Sequence, residues 1–230
     1  DLERVISEFK ILTSLRKSYD QIRFIDVDGQ ELIRVNYRAG LTYVTKQEDL
    51  QNKSDRYYFQ ETIALPEGQI FVSPLDLNME DGKIEEPFKP VIRVGTPVYR
   101  DGEVQGIFIV NYLAEEVFEI LDNKYGLVGE RIYLINKEGY WLKGPTEDDE
   151  WGFMFKDPSR TIFSWDIKID KSIFNNDRYQ GLFDSGLISI VSVSPFDYSG
   201  RTKKKINAFS DESFSGMKKD YIEEWRIVSY

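Results

Sequence analysis

The sequence predicts an α+β chain of two similar modules, each a roughly five-stranded antiparallel sheet with helices, behind a long N-terminal helix. Three observations predict it. Phe24-Ile25-Asp26-Val27-Asp28-Gly29 is answered by Leu134-Ile135-Asn136-Lys137-Glu138-Gly139, Val72-Ser73-Pro74-Leu75-Asp76 by Val193-Ser194-Pro195-Phe196-Asp197, and Ile109-Val110-Asn111-Tyr112 by Ile227-Val228-Ser229-Tyr230. These pairs keep one order and a near-constant offset, the mark of a tandem duplication. The first residues carry apolar side chains at helical spacing, and most of the remainder reads as short strands joined by Gly-containing turns.

Leu2, Val5, Ile6, Phe9, Leu12, Leu15 and Tyr19 recur mostly three or four apart, predicting a helix that runs to about Ile22 with one narrow apolar edge. Gln21–Val27 and Glu31–Tyr37 read as a hairpin closed at Asp28-Gly29, where glycine supplies the positive φ of a tight turn. Asp49–Leu65 reads as short helical turns carrying Asp55-Arg56-Tyr57-Tyr58-Phe59 and ending at Pro66-Glu67-Gly68. Strands are expected at Gln69–Ser73, Val91–Tyr99 and Val104–Tyr112, the last two joined at Asp101-Gly102 and the first two by a polar loop with turn chemistry. A helix from Leu113 to about Asp122 leads to Tyr125-Gly126, an expected C-cap and module boundary. The second module opens with a hairpin, Ile132–Ile135 and Tyr140–Leu142, and passes through an irregular Pro145–Lys171. It closes with a hairpin around Asp184-Ser185-Gly186, a basic loop at Arg201–Lys205, and the strand Trp225–Tyr230. In each module the helical turns fall between the second and third strands, so one sheet face packs on a helix and the inserted segment covers the other. A sheet under such a cover is a natural small-molecule site.

Composition narrows the function. Of 230 residues, 41% are hydrophobic and 30% charged, as in an ordinary globular protein, and the net charge of −10 repels nucleic acid and anionic lipid. The chain has no cysteine and no histidine. That removes disulfides, thiolate sites, the usual transition-metal ligand and the commonest general base. Neither a cofactor nor a metal is expected, and no apolar run approaches the ~20 residues that span a bilayer. Asp1 enters directly into a helical pattern and Tyr230 stops on a strand, as in a segment excised from a longer protein.

The order of helix, Asp28-Gly29 hairpin, Asp55-Arg56-Tyr57-Tyr58-Phe59, Phe71-Val72-Ser73-Pro74-Leu75-Asp76-Leu77-Asn78, Pro90–Val98 and Gly106–Tyr112 resembles the double Cache sensor domains. These are also described as tandem PAS-like (PDC) extracytoplasmic sensors of transmembrane histidine kinases. The resemblance is specific over Gln21–Leu121 and architectural over Gly126–Tyr230. It implies a long helix over 1–22, a membrane-distal ligand-binding module over 23–124 and a membrane-proximal module over 125–230, between transmembrane helices of the full-length protein. A homodimer through the N-terminal helix is compatible with it. In the amino-acid-binding branch an arginine followed by an aromatic pair on the covering helix clamps a carboxylate, and an acidic residue near the end of the last strand holds an ammonium. Arg56 with Tyr58 and Phe59 matches the first part, whereas Asn111 stands in the acidic position. An amide accepts one hydrogen bond from an ammonium but offers no charge pairing.

The residues can also be weighed singly. The planar fork of Arg56 suits a carboxylate, or it is a surface arginine capped by Asp55 or stacked on Tyr57. Tyr58 and Phe59 wall a site or fill the core. Phe71 and Ser73 share one strand face, opposite Ile70 and Val72, which places a hydroxyl where a site would use one. Asp76 either completes the rim or serves a structural turn, since Ser-Pro-x-Asp recurs at Ser194–Asp197. Arg93, in the otherwise apolar Val91–Thr96, lines the site or reaches an acidic surface, and Tyr43 enters the cover. The second module has only Asp177-Arg178-Tyr179 as a distant counterpart and reads as a relay or spacer. Arg201–Lys205 reads as a solvated loop or as contact with a nearby membrane surface.

The expected function is therefore that of a non-catalytic extracytoplasmic sensor. It binds a small polar ligand, carboxylate or amino-acid-like, in the distal module and signals to a cytoplasmic histidine kinase. Alternatives are the sensor of a chemoreceptor or diguanylate cyclase, a module that senses through a protein partner, and, more remotely, a hydrolase using paired carboxylates, for which no spacing singles out a pair.

Overall fold

A computed structural model describes residues 2–80, 82–125, 131–165, 169–183, 186–193 and 224–230. The described chain forms two compact units: Leu75 and the residues before it group with Lys89–Ala114, and the segment Asp76–Phe88 groups with the residues from Glu115 onward.

In the first unit α1 (Leu2–Leu15) stops short of the expected end at Ile22 because the chain from Tyr19 enters a sheet. Tyr19 pairs in register with Tyr112, and their rings meet edge-on at 6.3 Å. The strand ladder thus takes an aromatic residue that also fitted the helical spacing. Strands β1 (Tyr19–Asp26), β2 (Glu31–Arg38), β3 (Leu41–Val44) and β4 (Phe71–Val72) come next. In the second unit's segment follow β5 (Asp76–Leu77), β6 (Met79–Glu80) and β7 (Lys83–Ile84). The long strands β8 (Pro90–Arg100) and β9 (Glu103–Leu113) return to the first unit. Six strands of its sheet run in the order β3-β2-β1-β9-β8-β4, with every neighbour antiparallel.

One face of this sheet packs Ile22, Ile33, Val35 and Val110 with Phe9 of α1. The opposite face lies under α2 (Tyr57–Ile63), where Ile25, Phe71, Ile107 and Ile109 meet Tyr58, Phe59 and Leu65. Burying each such side chain stabilises the fold by about 1.5–3 kcal/mol. Gly95 of β8 makes the close approach of α2 workable, because a Cβ there would sit 3.0 Å from Thr62 Oγ1 and 3.1 Å from its Cγ2.

The second unit carries α3 (Glu115–Tyr125) and five strands: β10 (Ile132–Asn136), β11 (Trp141–Lys143), β12 (Arg178–Phe183), β13 (Gly186–Val193) and β14 (Trp225–Ser229). Their order is β11-β10-β14-β13-β12. Single 3₁₀ turns at Glu147–Asp149 and Ile162–Ser164 lie between β11 and β12, in the expected inserted stretch. The core joins Tyr133, Ile135, Trp141, Ile162, Ile169, Ile188, Ile190 and Val228.

The duplication read from the sequence is a duplication of turns and pairings. Asp26 Oδ1 accepts the amides of Asp28 (3.0 Å) and Gln30 (2.9 Å), and Asn136 Oδ1 accepts those of Glu138 and Tyr140 (both 3.0 Å). Gly29 and Gly139 close the two turns at φ 82° and 90°. A register shift follows each, between Phe24 and Ile25 and between Leu134 and Ile135. In each unit the first sheet strand also pairs with the last, β1 with β9 and β10 with β14. Gly126, Asp184-Ser185, the second Ser-Pro-x-Asp at Ser194–Asp197 and the basic loop Arg201–Lys205 lie outside the described residues. Among the described residues no helix is long and apolar enough to cross a membrane.

Candidate ligand-binding site

The face of the first sheet that lies under α2 changes character along its strands. Near the Asp28-Gly29 turn it is apolar, with Ile25, Ile107 and Ile109 under Phe59. Two residues further along β1 it becomes polar, and the pairing carries that polarity across the sheet. Tyr43 is in register with Asn36, Asn36 with Gln21, Gln21 with Asn111, and Asn111 with Arg93. Residues in register share a face, so these five form one row, with Arg23 and Arg34 in the row beside it. Except for Tyr43, which is 44% exposed at the sheet edge, all of them are buried.

The buried charges are organised around Tyr58. One guanidinium nitrogen of Arg23 donates to the Tyr58 hydroxyl at 3.2 Å, and the other donates to Asn111 Oδ1 at 2.6 Å. Asn111 Nδ2 in turn donates to Gln21 Oε1 at 3.3 Å. Glu31, fully buried, lies 3.6 Å from Arg23 and 3.5 Å from Arg34 and accepts the Gln51 amide at 3.1 Å. Lys53 is buried beside it and donates to Gln51 Oε1. The guanidinium carbons of Arg93, Arg23 and Arg56 stand 5.1, 5.3 and 5.8 Å from the centroid of the Tyr58 ring, within cation–π range.

Tyr58 registers the sign of this environment. Burial is the largest single influence on its hydroxyl and pushes the pKa up, but the charges of Arg23, Lys53 and Arg93 and the hydrogen bond from Arg23 together hold it below the ordinary tyrosine value of 10.0. The sign of the linkage follows. A depressed pKa contributes stability that is complete above 10.0 and lost as the pH falls through the lower folded value. A spectrophotometric titration of wild type minus Tyr58→Phe is expected to show a phenolate rising below pH 10.0; one rising at or above it would contradict the assigned field.

The residues singled out in the sequence fall into three groups. Arg56, Tyr58, Arg93 and Asn111 converge. Arg56 occupies the N-cap position of α2 and is partly buried, and Arg93 is 2% exposed and points inward, not to an acidic surface. Phe59 and Phe71 belong to the apolar core next to them. Ser73 differs from expectation: its hydroxyl donates to Pro74 O at 2.7 Å and accepts the Arg93 amide at 2.8 Å, so it extends the strand pairing past β4. Tyr43 lies on β3, a strand the sequence reading lacked, and Asp76 is buried on β5 and has interactions of its own.

Sequence reasoning missed Arg23, Glu31, Arg34 and Lys53. The repeat held the signal. Aligning the two hairpins puts Arg23 against Tyr133 and Glu31 against Trp141. In the second unit these positions form an apolar pair with rings 5.7 Å apart, and Ile135 pairs with Trp141 as Ile25 pairs with Glu31. The same hairpin therefore folds without the ion pair.

Two antiparallel sheets with inserted covers, one of them holding a buried polar face, define a tandem PAS-like sensor domain of Cache type. Residues 3–167 match the family model of the bacterial histidine kinase sensor domain, and the chain belongs to that family. The extracellular domain of the candidate histidine kinase vpHK1S-Z8 is similar at TM-score 0.76 and 19% identity, covering 99% of this chain and 74% of that one. A domain of a sensory box/GGDEF family protein from Vibrio parahaemolyticus is similar at TM-score 0.75 and 19% identity, over 99% of this chain and 77% of that one. The ligand-binding domain of the Pseudomonas aeruginosa PAO1 amino acid chemoreceptor PctC, in complex with GABA, is similar at TM-score 0.58 and 11% identity, over 100% of this chain and 81% of that one. No curated protein sequence is significantly similar to this chain.

Proposed function

We propose that this chain is the extracytoplasmic sensing part of a membrane receptor, and that the polar face under α2 binds a small ligand carrying a carboxylate. The observation that carries the reading is the group of three guanidiniums around the buried Tyr58 ring, on a face where the second unit has Tyr133 and Trp141 at the positions of Arg23 and Glu31. Burying charge is costly, and apolar replacement is often neutral or stabilising, so charges the fold can do without favour a binding role. Arg56 and Tyr58 on the cover and Arg93, Arg23 and Asn111 on the sheet are the proposed contacts, with Phe59 and Phe71 as the apolar wall. Ligand binding shifts the conformational balance of the domain and passes through the membrane to a cytoplasmic histidine kinase. The GGDEF and chemoreceptor relatives support a second reading, in which the same domain drives a diguanylate cyclase or a chemoreceptor.

A thermal-stability screen of the 230-residue chain against pooled metabolites tests the binding function. A ligand at about a hundred times its dissociation constant is expected to add ~2.7 kcal/mol to stability. Arg56→Ala is expected to abolish most of that gain while leaving the unliganded domain folded. A gain unchanged by Arg56→Ala would move the site elsewhere.

A further inference from the structure

The donors and acceptors on the covered face are unequal, and the imbalance selects a ligand class. Most of the described buried side-chain acceptors there are taken by donors of the protein itself. Asn111 Oδ1 receives Arg23, Gln21 Oε1 receives Asn111, and Gln51 Oε1 receives Lys53. Thr45 Oγ1 receives both Arg34 (3.0 Å) and Asn36 (2.8 Å). Glu31, a buried carboxylate of this face, lies within ion-pair distance of Arg23 and Arg34, although its Oε1 makes no hydrogen bond. The Tyr58 hydroxyl accepts from Arg23 and so keeps its own proton to donate, while Arg23 Nε is buried with no hydrogen-bond partner. An arriving molecule thus meets hydrogen-bond donors and positive charge.

An ammonium group brings three donors and no acceptor. On this face it would have to displace Arg23 from Asn111, or reach Glu31 Oε1 between the Arg23 and Arg34 guanidiniums, and either way it would lie among cations of its own sign. A carboxylate brings acceptors that match the guanidinium fork. Resting on the proposed binding function, we infer that the ligand is an organic acid without an ammonium group, and that the domain discriminates against the corresponding amino acids.

Isosteric pairs differing only in the ammonium group provide the test: propanoate and alanine, succinate and aspartate, glutarate and glutamate, each titrated into the 230-residue chain by calorimetry and thermal shift. In at least one pair the acid is expected to bind at least ~10-fold more tightly than its amino counterpart, the scale of one charge-assisted hydrogen bond. Asn111→Asp, which adds a carboxylate beside Arg23, is expected to weaken that acid by a further ~10-fold or more. Amino acids binding as well as the acids, or better, would overturn the inference and leave the binding function standing. An acid affinity unchanged in Asn111→Asp would also overturn it. If no member of any pair binds, both the inference and the carboxylate reading of the site fail. Should Asn111→Asp not fold, the wild-type ranking alone decides.

Discussion

Arg23→Met is expected to lower the unfolding free energy of the first unit by about 3–5 kcal/mol, the cost of breaking a buried ion pair from one side. The substitution strips Glu31 of one of its two guanidiniums and removes the hydrogen bonds that Arg23 gives to Asn111 Oδ1 and the Tyr58 hydroxyl. The second unit indicates the remedy. Because Tyr133 and Trp141 stand at the equivalent positions, adding Glu31→Leu to Arg23→Met should recover a large part of the loss, a coupling that a double-mutant cycle measures directly. All four tryptophans lie in the second unit, so their fluorescence does not report this change. Native-state amide exchange of β1 and β9 does. A loss below about 1 kcal/mol, with no recovery in the double variant, would mean the ion pair is not the structural link described.

Phe71→Ala is expected to cost about 3–5 kcal/mol, because the ring is fully buried among Ile25, Phe59, Ile107 and Ile109 and the remaining cavity cannot collapse onto a sheet. Tyr57 also loses its edge-on partner at 6.4 Å. The effect should fall on stability, with exchange protection of β8 and β9 reduced, while any surviving preference among ligands keeps its rank order. A variant of unchanged stability with altered ligand ranking would make Phe71 a recognition residue and not a core one.

These two residues show where sequence reading reaches and where it stops. The alternation around Phe71 shows its strand face but not its role, since it reads as a site residue and lies in the apolar core, while the long strands β8 and β9 match their expected ranges to within a residue at each end. The strand β3 was not legible. It is a four-residue run after Ala39 and Gly40, both at positive φ, and such a run carries too little alternation to separate from a loop. Arg56, Tyr58 and Asn111 could be picked out through the family resemblance, and Arg93 because it is charged in an otherwise apolar strand. Arg23, Glu31 and Arg34 looked ordinary, because charged residues at every second position of a hairpin are what a solvated sheet face presents. Only the cover supplied by residues from Thr45 to Leu65 turns that face inward, and a cover is a tertiary fact. The comparison between repeats carried the missing information, since Tyr133 and Trp141 show that the scaffold is content with apolar side chains there.

In the proposed function, ligand binds beneath α2, on the polar face of the first sheet. Hydrogen–deuterium exchange of the chain, with and without the most strongly stabilising acid, addresses it most directly. New protection is expected to concentrate in the amides of Arg56–Ile63 and in β9 around Asn111. Protection confined to β10–β14, with those amides unchanged, would contradict it.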